Sequence, residues 1–334
     1  MSVLGGRDAT RPLTTVGITC YDAEDTIRRA VESALAQSWT AREIIIVDDG
    51  SADGSVTVIE EIGRTHDEIR LIRHGENRGV AEARNTVLAH ARGAFIAFFD
   101  DDDESTPDRL EQQYRRIVEY EQHHPGEPVF CYANRVVVPP GRGEQTFERL
   151  GIGRVPPEPS GSIAADYVLG VLRDDGEHSW GMLGSCTLMA RTEALRVFGG
   201  FDGKFRRRAE LDLAVRAAFA GAHFISVDAP LVTQYLTPTA DKGGDAQLRY
   251  RLLLVEKHRD YLKEKRCYAG AWCYMHAQFH NSRHGRWRLW YLAALIVFPW
   301  RVSLRRIRGS SMLARLRPVP DGARRPDRQH RLVR

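Results

Sequence analysis

The chain has 334 residues, of which 43% are hydrophobic and 28% are charged. This composition excludes a wholly disordered chain, because disordered chains are poorer in apolar residues and carry more net charge. The formal net charge is only +4, so we expect no nucleic-acid partner. The basic excess lies at the C-terminus, where residues 312–334 contain seven arginines and two aspartates. We interpret residues 311–334 as a basic, disordered tail that either stays solvated or meets an anionic membrane.

The cysteine content and the apolar segments indicate the cellular compartment. The chain has five cysteines, an odd number, and none forms a Cys-x-x-Cys pair, which predicts a reduced, cytoplasmic protein. The first eleven residues lack the pattern of a secretory signal. The longest uncharged apolar run, Leu289 to Trp300, has twelve residues, whereas a membrane-spanning helix needs about 20. We therefore predict no spanning segment.

Residues 14–138 alternate short β-branched runs with amphipathic stretches, a pattern typical of βαβ units. We predict strands at Val16–Cys20, Glu43–Val47, Ile69–Arg73 and Phe95–Phe99. The helices predicted around them are Ala23–Gln37, Ser55–Thr65, Val80–Ala91 and a helix from Pro107 toward His123. The pattern predicts an α/β fold with a Rossmann-like, mostly parallel central sheet flanked by helices.

The rest of the chain is less regular. Ten of the 24 residues from 139 to 162 are glycine or proline, which predicts a loop or flap. Beyond it we predict a helix at Ile163–Leu172, a strand near Cys186–Ala190, helices at Thr192–Phe198 and Glu210–Ala220, and strands at His223–Val227 and Pro230–Tyr235. Residues 246–310 have a helical pattern. We therefore divide the chain into a tail (1–13), two halves of one domain (14–138 and 139–245), a helical extension (246–310) and the basic tail.

Four aspartates, Asp100 to Asp103, follow directly after the apolar strand that ends at Phe99. Carboxylates this close repel one another unless a cation or hydrogen-bond donors neutralise them. Oxygen ligands without soft ligands suit Mg²⁺ or Mn²⁺, which share their shell with waters and substrate phosphates. The alternative is an acidic, solvated loop that precedes the next helix.

A second carboxylate pair, Asp48 and Asp49, ends another predicted strand and is followed by Gly50. Taken alone, this segment is equally typical of an Asx-type turn without function. Two acidic strand ends in one sheet favour a ligand site, because ligands of open α/β sheets bind outside the carboxyl ends of the strands.

Four motifs, in order, resemble those of the inverting glycosyltransferases of family 2, which have the GT-A fold. They are Thr19-Cys20-Tyr21-Asp22, Val47-Asp48-Asp49-Gly50-Ser51, Glu76-Asn77-Arg78-Gly79-Val80-Ala81-Glu82-Ala83-Arg84-Asn85 and Phe99-Asp100-Asp101-Asp102-Asp103. The resemblance covers about the first 120 residues. It implies a nucleotide-diphospho-sugar donor and Mn²⁺ or Mg²⁺ as cofactor.

The resemblance also assigns donor-site residues at these strand ends: Thr19, Tyr21, Asp48, Asp49, Arg84, Asp100, Asp101 and Asp102. Tyr21 would stack near the nucleobase, and Asp49, with Asp48, would accept hydrogen bonds from it. Arg84 would lie near the diphosphate or base; alternatively, it pairs with Glu82 or with a carboxylate of the cluster. Asp100 would face the ribose, Asp101 belongs to the same donor site, and Asp102 would hold the metal.

The catalytic base is expected in the second half, where the family has Gly-Gly-Phe-Asp followed by an acidic motif. Here Gly199-Gly200-Phe201-Asp202 precedes Glu210 and Asp212, and Ala209 stands where the family often has glutamate. The resemblance nominates Glu210 as the base. Asp212 competes with it, and since residues two apart on a helix face nearly opposite ways, at most one points at the acceptor.

Three further residues are candidates for substrate contacts. Lys242, in the loop after the strand ending at Tyr235, either closes over the diphosphate or belongs to a plain connecting loop. Trp180 and His178 either form an aromatic platform for the acceptor or pack in the core. The aromatic and basic residues from Arg286 to Arg301 are typical either of an interfacial helix or of a helix packed on the domain.

The resemblance therefore implies a metal-dependent inverting glycosyltransferase. It would transfer a sugar from a nucleotide-diphosphate donor, most simply a UDP-sugar, to a hydroxyl of a bacterial surface glycan or lipid-linked acceptor. We expect it in the cytoplasm, with peripheral contact to the inner face of the plasma membrane through the C-terminal helix and basic tail. The alternatives are a noncatalytic nucleotide-sugar-binding or scaffold protein and a sugar nucleotidyltransferase, although the latter needs a glycine-rich basic loop that is missing after the first strand.

Overall fold

The computed structural model describes residues 11–140, 146–172, 176–236, 246–281, 287–297 and 316–318. In these residues the chain forms one mixed, ten-stranded sheet with helices packed on both faces. The predicted α/β class is therefore confirmed. The five cysteines all lie in the described part and are free thiols.

The first half has the predicted alternation of strands and helices. The strands are β1 (Thr14–Cys20), β2 (Arg42–Asp48), β3 (Ile69–Arg73) and β4 (Phe95–Asp100), and the helices between them are α1 (Ile27–Leu35), α2 (Ser55–Gly63) and α3 (Val80–His90). β1 pairs in parallel with β2 and β4, and β2 pairs in parallel with β3. The carboxyl ends of these four strands consequently meet at one edge of the sheet.

The part of the chain after β4 extends the sheet with strands that are partly antiparallel. They are β5 (Glu104–Ser105), β6 (Val129–Val138), β7 (Phe147–Arg149), β8 (Met189–Arg191) and β9 (His223–Tyr235). The order across the sheet is β7-β6-β8-β4-β1-β2-β3, and β9 runs parallel to β6. Its helices are α4 (Arg109–His123), α5 (Gly161–Val168), α6 (Thr192–Val197) and α7 (Ala209–Phe219).

β6 and β9 differ from the expectations. β6 is not predicted from the sequence, because Asn134 and Arg135 break its apolar pattern; both side chains are buried. β9 is one strand where the sequence predicts two, and its pairing with β6 becomes irregular around Asn134, opposite Pro230. The predicted flap at 139–162 contains β7, which pairs with β6. Within it, residues 141–145 lie outside the described part.

The hydrophobic core lies in two layers, one on each face of the sheet. One layer packs Phe98 and Phe130 against residues of α3, α5 and α7. The other packs Ile18 and Ile46 against residues of α1, α2 and α4. Each face of the central strands is therefore covered, as expected for apolar runs that do not alternate with polar residues.

The C-terminal part is helical, as predicted. It comprises α8 (Ala246–Lys257), α9 (Arg259–Glu264), α10 (Tyr268–Asn281) and α11 (Trp287–Val297). Among the described helices, none combines the length and the apolarity needed to cross a bilayer. Within the predicted disordered tail, β10 (Leu316–Pro318) instead pairs antiparallel with β7, so these three residues are ordered.

Candidate active site

The acidic strand ends lie side by side. Thr19 of β1 pairs with Asp100 of β4 on one side, and Cys20 pairs with Asp48 of β2 on the other. Because β1 lies between β2 and β4, the segments carrying Asp48 and Asp100 flank the end of β1. The structure thus brings the two predicted carboxylate pairs to one edge of the sheet.

The loop after β4 carries negative charge that its surroundings only partly neutralise. The backbone N–H of Tyr21 donates to Asp101 Oδ2 at 3.0 Å, and Arg29 Nη2 donates to the carbonyl oxygen of Asp102 at 2.6 Å. Burial and the charges of Asp102 and Asp100 nevertheless raise the pKa of Asp101 to about 8. Burial and the same two neighbours raise the pKa of Asp103 to about 8. A bound proton or a cation stabilises such a cluster.

The ligand atoms of Asp100, Asp103 and Cys186 lie within 4.8 Å of one another, the one group of three found in the described part of the chain. Asp103 Oδ2 is buried there without a hydrogen-bond partner among the described residues. The two carboxylates fit a hard cation such as Mg²⁺ or Mn²⁺, which keeps waters in its shell. Cys186 does not fit, because burial raises the pKa of its thiol to about 12 and Arg135 Nη1 donates to Sγ at 2.9 Å. Asp102, the predicted metal ligand, is half-buried and lies outside this group.

Buried arginines compensate part of this charge. Arg84 of α3 donates from Nη2 to Asp100 Oδ1 at 3.1 Å, so the alternative in which it pairs with a carboxylate of the cluster is the arrangement observed. Arg109 of α4 is fully buried and donates to the carbonyl oxygen of Phe98 and to Ser105 Oγ, at 2.9 Å each. Burial lowers its pKa to about 10, so it remains charged at neutral pH.

Sequence reasoning did not identify Arg109 and Arg135 as part of this region. For Arg135, the sequence feature that could have indicated a buried charge is its position within the apolar run of β6. Arg109 gave little signal, because an arginine in the first turn of a helix is usually exposed.

Asp49 holds the loop between β3 and α3. Its Oδ1 accepts hydrogen bonds from His74 Nδ1 at 2.7 Å and from the backbone N–H of Arg78 at 3.0 Å, and its Oδ2 accepts one from the N–H of Gly79 at 2.7 Å. Asp49 is buried, so the structure gives it a positioning role; its predicted contact with a nucleobase stays a prediction.

The other donor-site candidates at this edge differ in exposure. Asp48 is buried, and its Oδ1 has no hydrogen-bond partner among the described residues. Thr19 is also buried, whereas the side chain of Tyr21 is 48% exposed beside the acidic loop. An exposed ring at this place is suited to stacking on a base.

The segment that leads into α7 contacts the first half of the domain. Asn85 of α3 donates from Nδ2 to the carbonyl oxygen of Phe201 at 2.7 Å and accepts from the N–H of Phe201 at 2.8 Å. The Phe201 ring meets Phe98 of β4 edge-on, with centroids 5.4 Å apart, and Arg206 donates to Asn77 Oδ1 at 3.2 Å. These contacts place the segment that leads into α7 against α3, β4 and the loop between β3 and α3.

Glu210 and Asp212 have different surroundings in the first turn of α7. Glu210 is half-buried and interacts electrostatically with Arg208 and Tyr132. Asp212 is fully buried and accepts hydrogen bonds from Arg216 Nε at 2.8 Å, from Lys257 Nζ at 2.9 Å and from His258 Nε2 at 3.2 Å.

This network disfavours Asp212 as the competing base. Burial raises the pKa of Asp212, but the hydrogen bonds from His258, Lys257 and Arg216 outweigh burial and lower the pKa to about 2. A buried carboxylate held by three donors is a weaker base than a half-buried carboxylate without such partners. Asp212 therefore has a structural role in this network, and the choice of the base stays a prediction.

Of the remaining candidates, Trp180 is buried and stacks on Tyr167 with a centroid distance of 4.5 Å. The predicted acceptor platform is thus corrected to core packing for Trp180. His178 is half-buried beside it, with centroids 5.3 Å apart. Lys242 lies outside the described residues.

Comparisons with known proteins agree with this geometry. Residues 15–132 match the family described as glycosyl transferase family 2. The crystal structure of S. aureus TarS 1-349 in complex with UDP is 18% identical, with a TM-score of 0.55 over 88% of this chain and 76% of that one. The complex of TarS with UDP-GlcNAc gives a TM-score of 0.58 at 17% identity, over 84% of this chain and 79% of that one. These likenesses establish that the fold is of the GT-A type.

Residues 15–132 belong to glycosyltransferase family 2. A curated relative, the succinoglycan biosynthesis protein ExoO of Rhizobium meliloti, is 37% identical over 145 residues, which are 43% of this chain. The match spans 40% of that relative's length. The family match contains the strand ends described above and ends before the C-terminal helices.

The buried Asp212 network predicts a specific pH dependence of stability. Because the folded-state pKa of about 2 is below the ordinary value of 3.8, the network stabilises the fold fully above pH 4 and loses this contribution as the pH falls toward 2. The shift corresponds to about 2 kcal/mol. Urea unfolding at several pH values is expected to show Asp212→Asn less stable than wild type at pH 6, with a difference that shrinks below pH 4.

The matched control is Asp260→Asn, which removes an exposed carboxylate of α9. It should leave stability unchanged at every pH. A difference between Asp212→Asn and wild type that does not depend on pH would contradict the assignment of the low pKa to Asp212.

Proposed function

We propose that the protein is an inverting glycosyltransferase that transfers a sugar from a UDP-sugar to a hydroxyl of a bacterial surface glycan or lipid-linked acceptor. The observation that carries the proposal is the contact between the two halves: Asn85 and Phe98 hold Phe201, and with it the segment leading to Glu210, beside the acidic strand ends. The crystal structures of TarS in complex with UDP and with UDP-GlcNAc support the choice of donor. The similarity to ExoO, a succinoglycan biosynthesis protein, supports a surface polysaccharide as the product.

In this proposal Glu210 takes the proton of the acceptor hydroxyl while the oxygen attacks the anomeric carbon. The attack comes from the face opposite the leaving nucleotide, so the configuration inverts. Glu210 is the candidate because it is half-buried and, unlike Asp212, has no ion pair with another described residue. Arg84 and Tyr21 would orient the donor at the strand ends, where the diphosphate replaces part of the contact between Arg84 and Asp100.

We also propose that Mn²⁺ or Mg²⁺ binds at the acidic loop, held by Asp102 beside Asp100 and Asp103. A divalent cation there offsets the negative charge that develops on the leaving diphosphate. The raised pKa values of Asp101 and Asp103 support this choice, because burial and the charges of neighbouring aspartates disfavour the ionised carboxylates, which a cation would stabilise.

Replacing Glu210 tests the function directly. Glu210→Gln keeps the shape of the side chain and removes the base, so we expect the transfer rate to fall by at least about 100-fold. Affinity for UDP, measured by calorimetry, should stay as in wild type. The control Glu193→Gln changes an exposed carboxylate on α6 and should transfer at the wild-type rate.

Two outcomes of that experiment would contradict the proposal. Full activity in Glu210→Gln would show that the base lies elsewhere. UDP binding without turnover of any sugar donor in the wild type would favour the noncatalytic binding protein.

A thermal-shift series tests the metal. UDP should raise the melting temperature more with Mn²⁺ than with EDTA, because a ligand that binds only the folded state stabilises it by mass action. Asp102→Asn is expected to lose the Mn²⁺-dependent part of the shift, whereas Asp67→Asn, at an exposed site after α2, keeps it. An equal shift with EDTA would argue against a metal-assisted donor site.

For the location we propose a cytoplasmic protein that docks on an anionic membrane surface through α11. Leu289, Leu292 and Ile296 follow helical spacing on one side of α11 and are 70%, 54% and 79% exposed. The helix is about 16 Å long, too short for a hydrocarbon core of about 30 Å, so it would lie in the interface. The arginines that follow in the sequence, from Arg301 onward, complement anionic lipid headgroups.

Vesicle co-sedimentation tests this docking. Wild type should sediment with vesicles of phosphatidylcholine plus phosphatidylglycerol and much less with phosphatidylcholine alone. Changing Leu289, Leu292 and Ile296 together to serine should abolish sedimentation. The matched control changes Val155, Met182 and Val197, which are exposed elsewhere, and should sediment like wild type. Loss of a dimer in the α11 variant, with unchanged lipid binding, would instead identify the face as a contact between copies.

A further inference from the structure

A cleft of about 310 Å³ lies between α8, α10 and the segment before α7. Lys204 lines it from that segment, Arg249, Tyr250 and Glu256 line it from α8, and Trp272 lines it from α10. Its volume is at the small end of the range of about 300–1,000 Å³ for ligand pockets, enough for a short stretch of saccharide. None of these residues belongs to the donor site at the strand ends.

The cleft has an excess of positive charge. Lys204 and Arg249 are exposed, and neither forms an ion pair with a residue in the described ranges. The acid of the cleft, Glu256, is already engaged: Arg259 Nη1 lies 3.0 Å from its Oε1, and the Tyr268 hydroxyl donates to its Oε2 at 2.6 Å. The side chains of Lys204 and Arg249 are thus available to pair with an anionic ligand.

The cleft also offers aromatic surface. Tyr250 and Trp272 are half-buried and pack on the hydrophobic core, which holds their rings in place. His276 covers part of Trp272, with centroids 4.0 Å apart. Rigid aromatic faces next to cations are suited to a sugar ring that carries a negative group, because the ring stacks while the cation pairs with the anion.

The position of the cleft links it to the proposed base. The segment that carries Lys204 continues directly into α7 and Glu210. Arg208, at the start of α7, interacts electrostatically with Glu210 on one side and with Arg251 of α8 on the other. Arg251 lies between Tyr250 and Leu252, both of which line the cleft. The segment that carries Lys204 and the neighbouring pair Arg208 and Arg251 therefore connect the cleft to the start of α7, where Glu210 lies.

We propose that this cleft binds an anionic saccharide unit of the acceptor, in which a carboxylate or a phosphate group pairs with Lys204 and Arg249. The proposal rests on the proposed function, because it assigns the acceptor side of the same reaction. It also provides an acceptor contact where the sequence-based candidate, Trp180, turned out to be buried in the core.

Binding without any donor tests the cleft by itself. Calorimetric titrations would use a tetramer of galacturonic acid, its uncharged counterpart maltotetraose, and glucose 6-phosphate. We expect the acidic tetramer to bind at least about 10-fold more tightly than maltotetraose, and its affinity to fall with added salt. Comparing galacturonate with glucose 6-phosphate shows which anion the cleft prefers.

The test variant is Lys204→Gln with Arg249→Gln, which changes exposed residues and should not alter the melting temperature. It should bind the acidic tetramer no better than maltotetraose. The matched control, Arg115→Gln with Lys263→Gln, removes the same charge from exposed positions on α4 and α9 and should retain wild-type affinity. Equal binding of charged and neutral tetramers, no binding of either anionic ligand, or an equal loss in the control would overturn the proposal.

Transfer assays separate this proposal from the proposed function. With an active acceptor, the Lys204/Arg249 variant should raise the KM for the acceptor about 10-fold and leave kcat and the KM for the donor unchanged. If the Lys204/Arg249 variant transfers sugar with an unchanged KM for the acceptor, the proposed acceptor role of the cleft is overturned and the enzymatic function is not. Binding of the acidic tetramer in a protein that transfers no sugar would overturn the enzymatic function alone.

Discussion

The structure depends on how negative charge is balanced where the parallel strands end. Four consecutive aspartates begin at the last residue of β4, a further pair begins at the last residue of β2, and the sheet brings both groups to the same edge. Three buried arginines offset part of this charge: Arg84 of α3, Arg109 of α4 and Arg135 of β6. Each of these arginines would be costly to bury without an acidic partner. The balance is incomplete, because Asp101 and Asp103 still have pKa values of about 8. An incomplete balance suits a site that must accept a cation and release it with a charged product.

The structure also depends on contacts that fix the relative position of the two halves of the domain. Asn85 closes two hydrogen bonds with the backbone of Phe201, and Arg216 donates to the carbonyl oxygens of Phe198 and Gly200. The turn before α7 is therefore held both by the donor half and by α7 itself. Such a double attachment fixes the direction in which α7 starts, and with it the position of Glu210 in the first turn of α7.

The sequence was most informative where one local pattern determines the structure. The apolar runs at Ile44–Val47 and Phe95–Phe99 are strands because they are buried on both faces, and the acidic residues after them had to emerge at a common edge. It was least informative where a side chain finds a distant partner. Asp212 and Glu210 look alike in the sequence, and only the approach of Lys257 and His258, some 45 residues later, distinguishes the buried, paired Asp212 from Glu210. Trp180 likewise gave no local sign that Tyr167 covers its ring.

Lys257 at the end of α8 contacts Asp202 at 2.7 Å and Asp212 at 2.8 Å, and His258 adds a third contact. A recombinant fragment that ends at residue 245 would leave the Asp212 carboxylate inside the protein without its lysine. Removing one partner of such a pair typically costs about 3–5 kcal/mol, a large part of the stability of an ordinary domain. The smallest piece worth expressing therefore ends beyond His258, and the helical extension is part of the folding unit rather than an appendage that can be trimmed.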